Sequence, residues 1–157
     1  LARLGLHASL KAADCARLDT WWDGRPFDAV LTDVPCTASG VVRRNPDAKW
    51  RMRPGALEVR LKDQAAVLDR AADLVKPGGR IAYVTCSVLP AENGEQVRSF
   101  MARHPEFAVV QPHETARVLW DKAEAFEAAA LQSAEGWLMT PRRTGTDGFF
   151  VAVLKKA

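Results

Sequence analysis

Leu31-Thr-Asp-Val-Pro-Cys36 and Ile81-Ala-Tyr-Val-Thr-Cys-Ser87 each run an apolar, β-type stretch straight into a cysteine. Between them lie a helical stretch and the turn Lys76-Pro-Gly-Gly79. A strand, a helical crossover and a second strand make parallel neighbours, so the two thiols are expected side by side at one edge of a parallel sheet. Ligands of open α/β sheets bind at the carboxyl ends of the strands. Two sulfurs in that place point to covalent chemistry more than to packing.

Working outward, residues 28–34 read as a strand buried on both faces, because the run is almost continuously apolar. A loop rich in turn residues follows over 35–54. From residue 55 to 75, Leu57, Leu61, Ala65, Leu68, Ala72 and Val75 recur in steps of three and four, which predicts one apolar helix face. Lys76-Pro-Gly-Gly79 stops that helix. Residues 80–85 form the next strand, and 91–103 a second helix with Val97, Phe100 and Met101 inward. Residues 107–110 and 148–154 read as strands, and an Ala/Glu-rich helical stretch lies within 123–132. At the front, residues 1–6 look like a helix tail closed by Gly5, and 8–13 like a short strand leading to Asp14. The alternation predicts an α/β fold with a mostly parallel sheet and helices on both faces.

The chain has 157 residues, 48% hydrophobic and 26% charged, which suits one globular domain. No apolar run approaches membrane-spanning length and no signal-peptide layout opens the chain, so a cytoplasmic protein is expected. Three cysteines, Cys15, Cys36 and Cys86, form no CxxC pair and are too few for a disulfide framework. His7, His104 and His113 lack ligand spacing, so no metal site is expected. The net charge of +3 is unevenly spread: Arg43, Arg44, Lys49, Arg51 and Arg53 face Asp47 alone within one short segment that also holds Trp50. Such a segment suits phosphate contacts and base stacking. Its rival reading is a solvated loop with an anchoring tryptophan.

Asp33-Val-Pro-Cys36, Thr37-Ala-Ser-Gly40, Val41-Val-Arg-Arg-Asn-Pro-Asp-Ala-Lys-Trp50, Lys76-Pro-Gly-Gly79, Tyr83-Val-Thr-Cys-Ser-Val-Leu-Pro-Ala-Glu-Asn93 and Asp147-Gly-Phe-Phe150 occur in that order. Together they resemble the RNA 5-methylcytosine methyltransferases, above all those of bacterial 16S ribosomal RNA. The resemblance covers nearly the whole chain. It implies a Rossmann-like fold dependent on S-adenosyl-L-methionine, and ribosomal RNA as partner. It assigns the attacking thiolate to Cys86 and release of the product to Cys36. Asp33 is implied beside both the cofactor and the target base, Asp14 on the adenosine side, and Pro35, which stiffens the backbone before Cys36, with the cofactor. Arg43, Arg44, Lys49, Trp50 and Arg51 become the RNA contacts. Family members usually carry Ala where this chain has Val34, a conservative change.

Each assignment has a structural rival. A buried cysteine is often a small apolar core residue, Asp14 suits a turn cap, and Cys15 lies outside the shared motifs. The family's glycine-rich turn is not found, since no Gly-x-Gly occurs in the chain. Residues 1–157 are therefore expected to be the C-terminal portion of one catalytic domain, with the glycine-loop half, the first strands and the N-terminal RNA-binding domain outside it. Such a fragment is expected to be inactive alone and to self-associate through an exposed sheet edge. A non-catalytic RNA-binding or assembly module is the alternative. A small-molecule or protein methyltransferase fits less well, because nitrogen and oxygen nucleophiles need no thiol.

Overall fold

One helical crossover between two parallel strands builds the centre of the molecule. The computed structural model describes residues 2–119 and 121–157, without the side chains of Ala2, Arg51, Val118 and Leu119. In chain order, β1 (Phe27–Asp33) is followed by α1 (Ala48–Arg51), α2 (Ala56–Leu74), β2 (Val75–Thr85), α3 (Gly94–Arg103), β3 (Phe107–Val109), α4 (Pro112–Leu119), α5 (Ala123–Ala129), β4 (Leu131–Gln132), β5 (Trp137–Met139), α6 (Pro141–Thr144) and β6 (Phe149–Lys156). The sheet order is β1-β2-β6-β5-β4, with β3 also on β6. No helix among the described residues is long and apolar enough to cross a membrane.

α2 begins after Gly55, whose φ of +81° a side chain would strain, and ends where Val75 turns extended. The Lys76-Pro-Gly-Gly79 turn does not separate helix from strand. Phe27 pairs with Val75 but Ala29 with Arg80, so the turn bulges out between the first and second pairings, with Gly78 at φ +76°. Beyond the bulge the register is regular, and Val30, Thr32 and Asp33 lie beside Ile81, Tyr83 and Val84.

The sheet is mixed, which corrects the expectation of a mostly parallel one. β1 and β2 are parallel, whereas β2/β6, β3/β6, β4/β5 and β5/β6 are antiparallel. Each parallel neighbour needs its own crossover, and only α2 joins sheet neighbours in that way. The chain's last strand, β6, instead inserts between β2 and β5 in the opposite direction.

Alternation assigns the faces. Ile81, Tyr83, Phe150, Ala152 and Leu154 point to one side, where Leu68 and Ala72 of α2 and Val97 and Phe100 of α3 complete the core. Leu68, Ile81, Tyr83, Val97, Phe100 and Leu154 are fully buried, each such side chain contributing about 1.5–3 kcal/mol. On the other side Trp137, opposite Val151, packs with Ala116, Ala130 and Phe126 from the α4–α5 region. Helices thus lie on both faces.

Two further expectations give way. Residues 8–13 form no strand and pair with no strand of the sheet, although the outer edge of β1 is open. β1 is not buried on both faces: Thr32 is buried, but Leu31 is 72% exposed and Phe27 43%. The apolar run of β1 fits a covered strand, yet no described strand pairs its outer edge and Leu31 stays open. At the front, Ala2–Leu4 make a 3-10 turn closed by Gly5 at φ +64°.

Candidate functional site

The carboxyl ends of β1 and β2 bring the two cysteines together. Cys36 Sγ and Cys86 Sγ are 3.2 Å apart, within hydrogen-bonding distance, and both side chains are half-buried. Parallel pairing holds Asp33 beside Val84, and the Val34 amide donates to the Val84 carbonyl at 3.2 Å. Each chain then leaves the sheet within a few residues of its neighbour. The strand-ending loops are tied again where the Gly40 amide donates to the Cys86 carbonyl at 3.0 Å.

The motif around residues 147–150 closes this arrangement from the third side. The Gly148 amide donates to the Gly40 carbonyl at 2.8 Å. A Cβ on Gly40 would lie 2.2 Å from the Gly148 carbonyl oxygen, so neither position has room for a side chain. Phe150 fills the core below.

A buried polar network underlies the thiols. The Glu92 side chain is fully buried, accepting from the Thr37 amide at 2.8 Å, the Thr37 hydroxyl at 2.5 Å and Gln64 Nε2 at 3.0 Å. Gln64 Nε2 also reaches the Pro35 carbonyl at 3.0 Å. Asn93 accepts from the Thr85 hydroxyl at 2.6 Å and donates to the Ser87 carbonyl at 3.0 Å. The Tyr83 hydroxyl donates to the Glu92 carbonyl at 2.6 Å, and burial drives its pKa upward. Ser39 and Ser87 hydroxyls lie 2.9 Å apart. Buried polar groups are costly unless partnered, and each of these has its partner.

Burial, first, and then the hydrogen bond and charge of Cys36, with a further contribution from Asp33, push the Cys86 thiol up to about 12. The resting site therefore holds a thiol rather than a thiolate. Asp33 is exposed, with no hydrogen bond among the described residues; its carboxylate, close enough to bear on Cys86, suits an ammonium or a base edge. Pro35 is exposed at the same loop. Asp14 stands apart in the exposed N-terminal segment, where its Oδ1 accepts from the Ala16 amide at 2.9 Å in a turn-capping role. An open cavity of about 680 Å³ nearby is lined by Lys11, Cys15, Trp21, Trp22, Arg25 and Phe27, among others, and by neither Asp33 nor the cysteine pair.

The basic segment is exposed. Arg43 and Arg44 both pair with Asp147, at 3.7 Å for Arg43, yet remain 63% and 60% exposed. Trp50 on α1 is 80% exposed, with the Lys49 ammonium 5.2 Å from its ring centre. The indole is not buried against the described residues. The side chain of Arg51 lies outside the described residues.

Gln64, Glu92 and Asn93 escaped sequence reasoning as site residues. Gln64 sits on the face of α2 that the apolar pattern otherwise fills. Glu92-Asn93 closes a quoted motif, and its signal is two adjacent polar side chains immediately before a helix that carries Val97 and Phe100 inward.

A family model described as 16S rRNA methyltransferase RsmB/F matches residues 1–155. The chain is 38% identical over 157 residues to the ribosomal RNA small subunit methyltransferase B of Shewanella oneidensis, covering 100% of this chain and 33% of that protein. It is 40% identical over 154 residues to the protein of the same name from Xylella fastidiosa, covering 98% of this chain and 33% of that one. The chain thus spans about one third of the length of these curated relatives. Among solved structures, NSun6 from Pyrococcus horikoshii with SFG is similar at a TM-score of 0.72 and 25% identity, over 99% of this chain and 36% of that chain.

Proposed function

The chain belongs to the 16S rRNA methyltransferase RsmB/F family, and from that premise we propose that it is the C-terminal, cysteine-bearing portion of a catalytic domain that methylates cytosine C5 in ribosomal RNA. The observation that carries this reading is the 3.2 Å approach of Cys36 and Cys86 at the ends of adjacent parallel strands. A pure binding module has no use for two apposed thiols.

Cytosine C5 is a weak nucleophile. When the Cys86 thiol gives its proton to solvent and the thiolate bonds to C6, the ring becomes an enamine whose C5 carries the electron density, which is covalent activation by a nucleophile. S-adenosyl-L-methionine, the expected cofactor, supplies an electrophilic methyl group when bound. The exposed Asp33 carboxylate fits its ammonium or the cytosine edge, with Pro35 fixing the backbone there and Asp14 on the adenosine side. After methylation, Cys36, acting as its thiolate, takes the proton from C5; the C–H electron pair restores the C5–C6 double bond and the C6–S bond breaks, returning Cys86 as the thiolate. Its place 3.2 Å from the nucleophile suits a group that must reach the same ring.

RNA is held by Arg43, Arg44, Lys49, Trp50 and Arg51: cations for phosphates and an exposed indole for a base. The test uses the intact protein and 16S RNA. Cys86→Ala is expected to abolish methylation without an adduct, and Cys36→Ala to accumulate a protein–RNA adduct stable on denaturing gels. Normal turnover by Cys36→Ala with no adduct overturns the release assignment. The isolated 157-residue chain is expected to show no turnover in the same assay.

A further inference from the structure

We propose that the dipeptide Glu92-Asn93 is the positioning device that sets the Cys36–Cys86 separation, Glu92 holding the loop of Cys36 and Asn93 the loop of Cys86. The proposal rests on the two-thiol reading above for its catalytic consequence, but its geometry stands apart from any reaction.

Three observations carry it. First, the two side chains grip different cysteine loops. Glu92 binds both the amide and the hydroxyl of Thr37, the residue after Cys36, at 2.8 and 2.5 Å. Asn93 brackets Cys86, contacting Thr85 on one side at 2.6 Å and Ser87 on the other at 3.0 Å. Being adjacent in the chain, the two grips share one backbone, so the spacing of the loops is passed through a single peptide unit.

Second, the loop of Cys36 needs holding. Ala38 sits at φ +57°, the one described non-glycine residue with positive φ, a conformation an L side chain adopts at a cost. Thr37 before it is clamped by Glu92, and Ser39 after it lies 2.9 Å from Ser87 and accepts from the Val88 amide at 3.1 Å. Removing the Glu92 contact frees the strained turn on the side nearest the thiol.

Third, the dipeptide is itself immobilised. Glu92 is fully buried and Asn93 is 4% exposed. The Glu92 carbonyl accepts from Tyr83 at 2.6 Å, and its carboxyl oxygen Oε1 from Gln64 at 3.0 Å. A carboxyl group placed beyond solvent, with no hydrogen bond to either sulfur and spent on the Thr37 loop and on Gln64 of α2, is a positioning residue rather than a catalytic one.

The test reads the separation directly, with Cys15→Ser as background because the exposed Cys15 thiol would itself react with the oxidant. Diamide, an azo oxidant, takes two electrons and two protons from the two thiols and becomes the hydrazine while the Sγ–Sγ bond forms. Glu92→Ala and Asn93→Ala are expected to slow this closure about tenfold or more, the effect of losing a multiply bonded buried acceptor. Glu92→Gln, which keeps the acceptor Oε1 and can donate to the Thr37 hydroxyl, is expected to stay within about threefold. Unchanged closure in both alanine variants, folded by near-ultraviolet circular dichroism, overturns the proposal. Should either fail to fold, Thr37→Val and Thr85→Val remove one hydroxyl contact each, and unchanged closure there overturns it equally.

A second readout separates positioning from general loosening. In the intact protein with 16S RNA, Glu92→Ala is expected to accumulate the covalent adduct, while Asn93→Ala forms little of it. Equal loss at both steps argues against the division of labour and overturns it. Absence of any adduct, even with Cys36→Ala, refutes the covalent mechanism while leaving the closure rates to decide the positioning claim.

Discussion

Alkylation of Cys86 exposes the electrostatics of the site most directly. Burial first, then the Cys36 contact and the Asp33 charge, raise this thiol from 9.0 to about 12. At pH 8 an ordinary thiol is about one-tenth ionised, and Cys86 about a thousandfold less. The more basic thiolate is the better nucleophile, and a Brønsted slope near 0.4–0.5 returns about twentyfold. Iodoacetamide should therefore modify Cys86 in the folded protein roughly fiftyfold more slowly than in the urea-unfolded chain. The sign gives a second signature. Because the pKa is raised, the neutral thiol persists through the physiological range and the rate climbs about tenfold per pH unit beyond 9 instead of levelling there. Cys36→Ala removes the 3.2 Å contact but leaves the burial, so the rate should rise only part of the way towards the unfolded value. The assay is quenched alkylation between pH 7 and 10 in a Cys15→Ser background, with the Cys86 peptide quantified by mass spectrometry. A folded-state profile that levels near 9, or rates equal to those of the unfolded chain at pH 8, would refute the reasoning.

Other perturbations test other parts of the molecule. Gly148→Ala places a Cβ 2.7 Å from Gly40 Cα and from Val88 Cγ1, so it is expected to cost about 1–3 kcal/mol, read as a lowered urea midpoint. Trp50→Ala should weaken binding of single-stranded RNA by about 1–3 kcal/mol, the worth of one base–aromatic stack, with the fold unchanged since the indole is 80% exposed; fluorescence-anisotropy titration checks it. The 157-residue chain by itself should self-associate through β1, whose outer edge no described strand pairs and whose Leu31 is 72% exposed. Sedimentation velocity should find Leu31→Lys monomeric, and a wild-type chain already monomeric at high concentration would refute the edge-pairing proposal.

What could be read from the residues was what local chemistry decides. α2 lies within one residue of its predicted bounds at each end because Gly55 at φ +81° opens it and the backbone turns extended at Val75. The inward face of α3 follows from Val97 and Phe100, both fully buried. The neighbouring thiols follow from a single βαβ unit. The antiparallel majority was hidden because an apolar pattern marks a strand but neither its direction nor its neighbour: β3 and β6 were legible as strands and still pair antiparallel, while β4 and β5, two and three residues long, are too short for a period-two pattern to stand out. α4 and the Trp137 cluster lay in the same unassigned stretch. The 8–13 strand failed for the opposite reason: a β-like pattern forms a strand only where another strand pairs with it.

The site divides by sheet face, and that division explains why its polar foundation was hidden while its chemistry was not. Along β2 burial alternates without a break from Ile81 to Ser87, so Tyr83, Thr85 and Ser87 lie on the buried side and Val84 and Cys86 on the half-open side. Asp33, beside Val84 in register, joins the open side with Cys86. The thiol and the carboxylate therefore face the surface a nucleobase can reach, while Gln64, Glu92 and Asn93 hold the same strand ends from behind through Tyr83, Thr85 and Thr37. A hydroxyl or amide in that rear layer looks like an ordinary breach of the apolar pattern when read one residue at a time. Its purpose appears only with the fold, because a fully partnered buried network holds its members to one arrangement. The arrangement it fixes here is the distance between two sulfurs, and a core of purely apolar residues would leave that distance to the looser grip of packing alone.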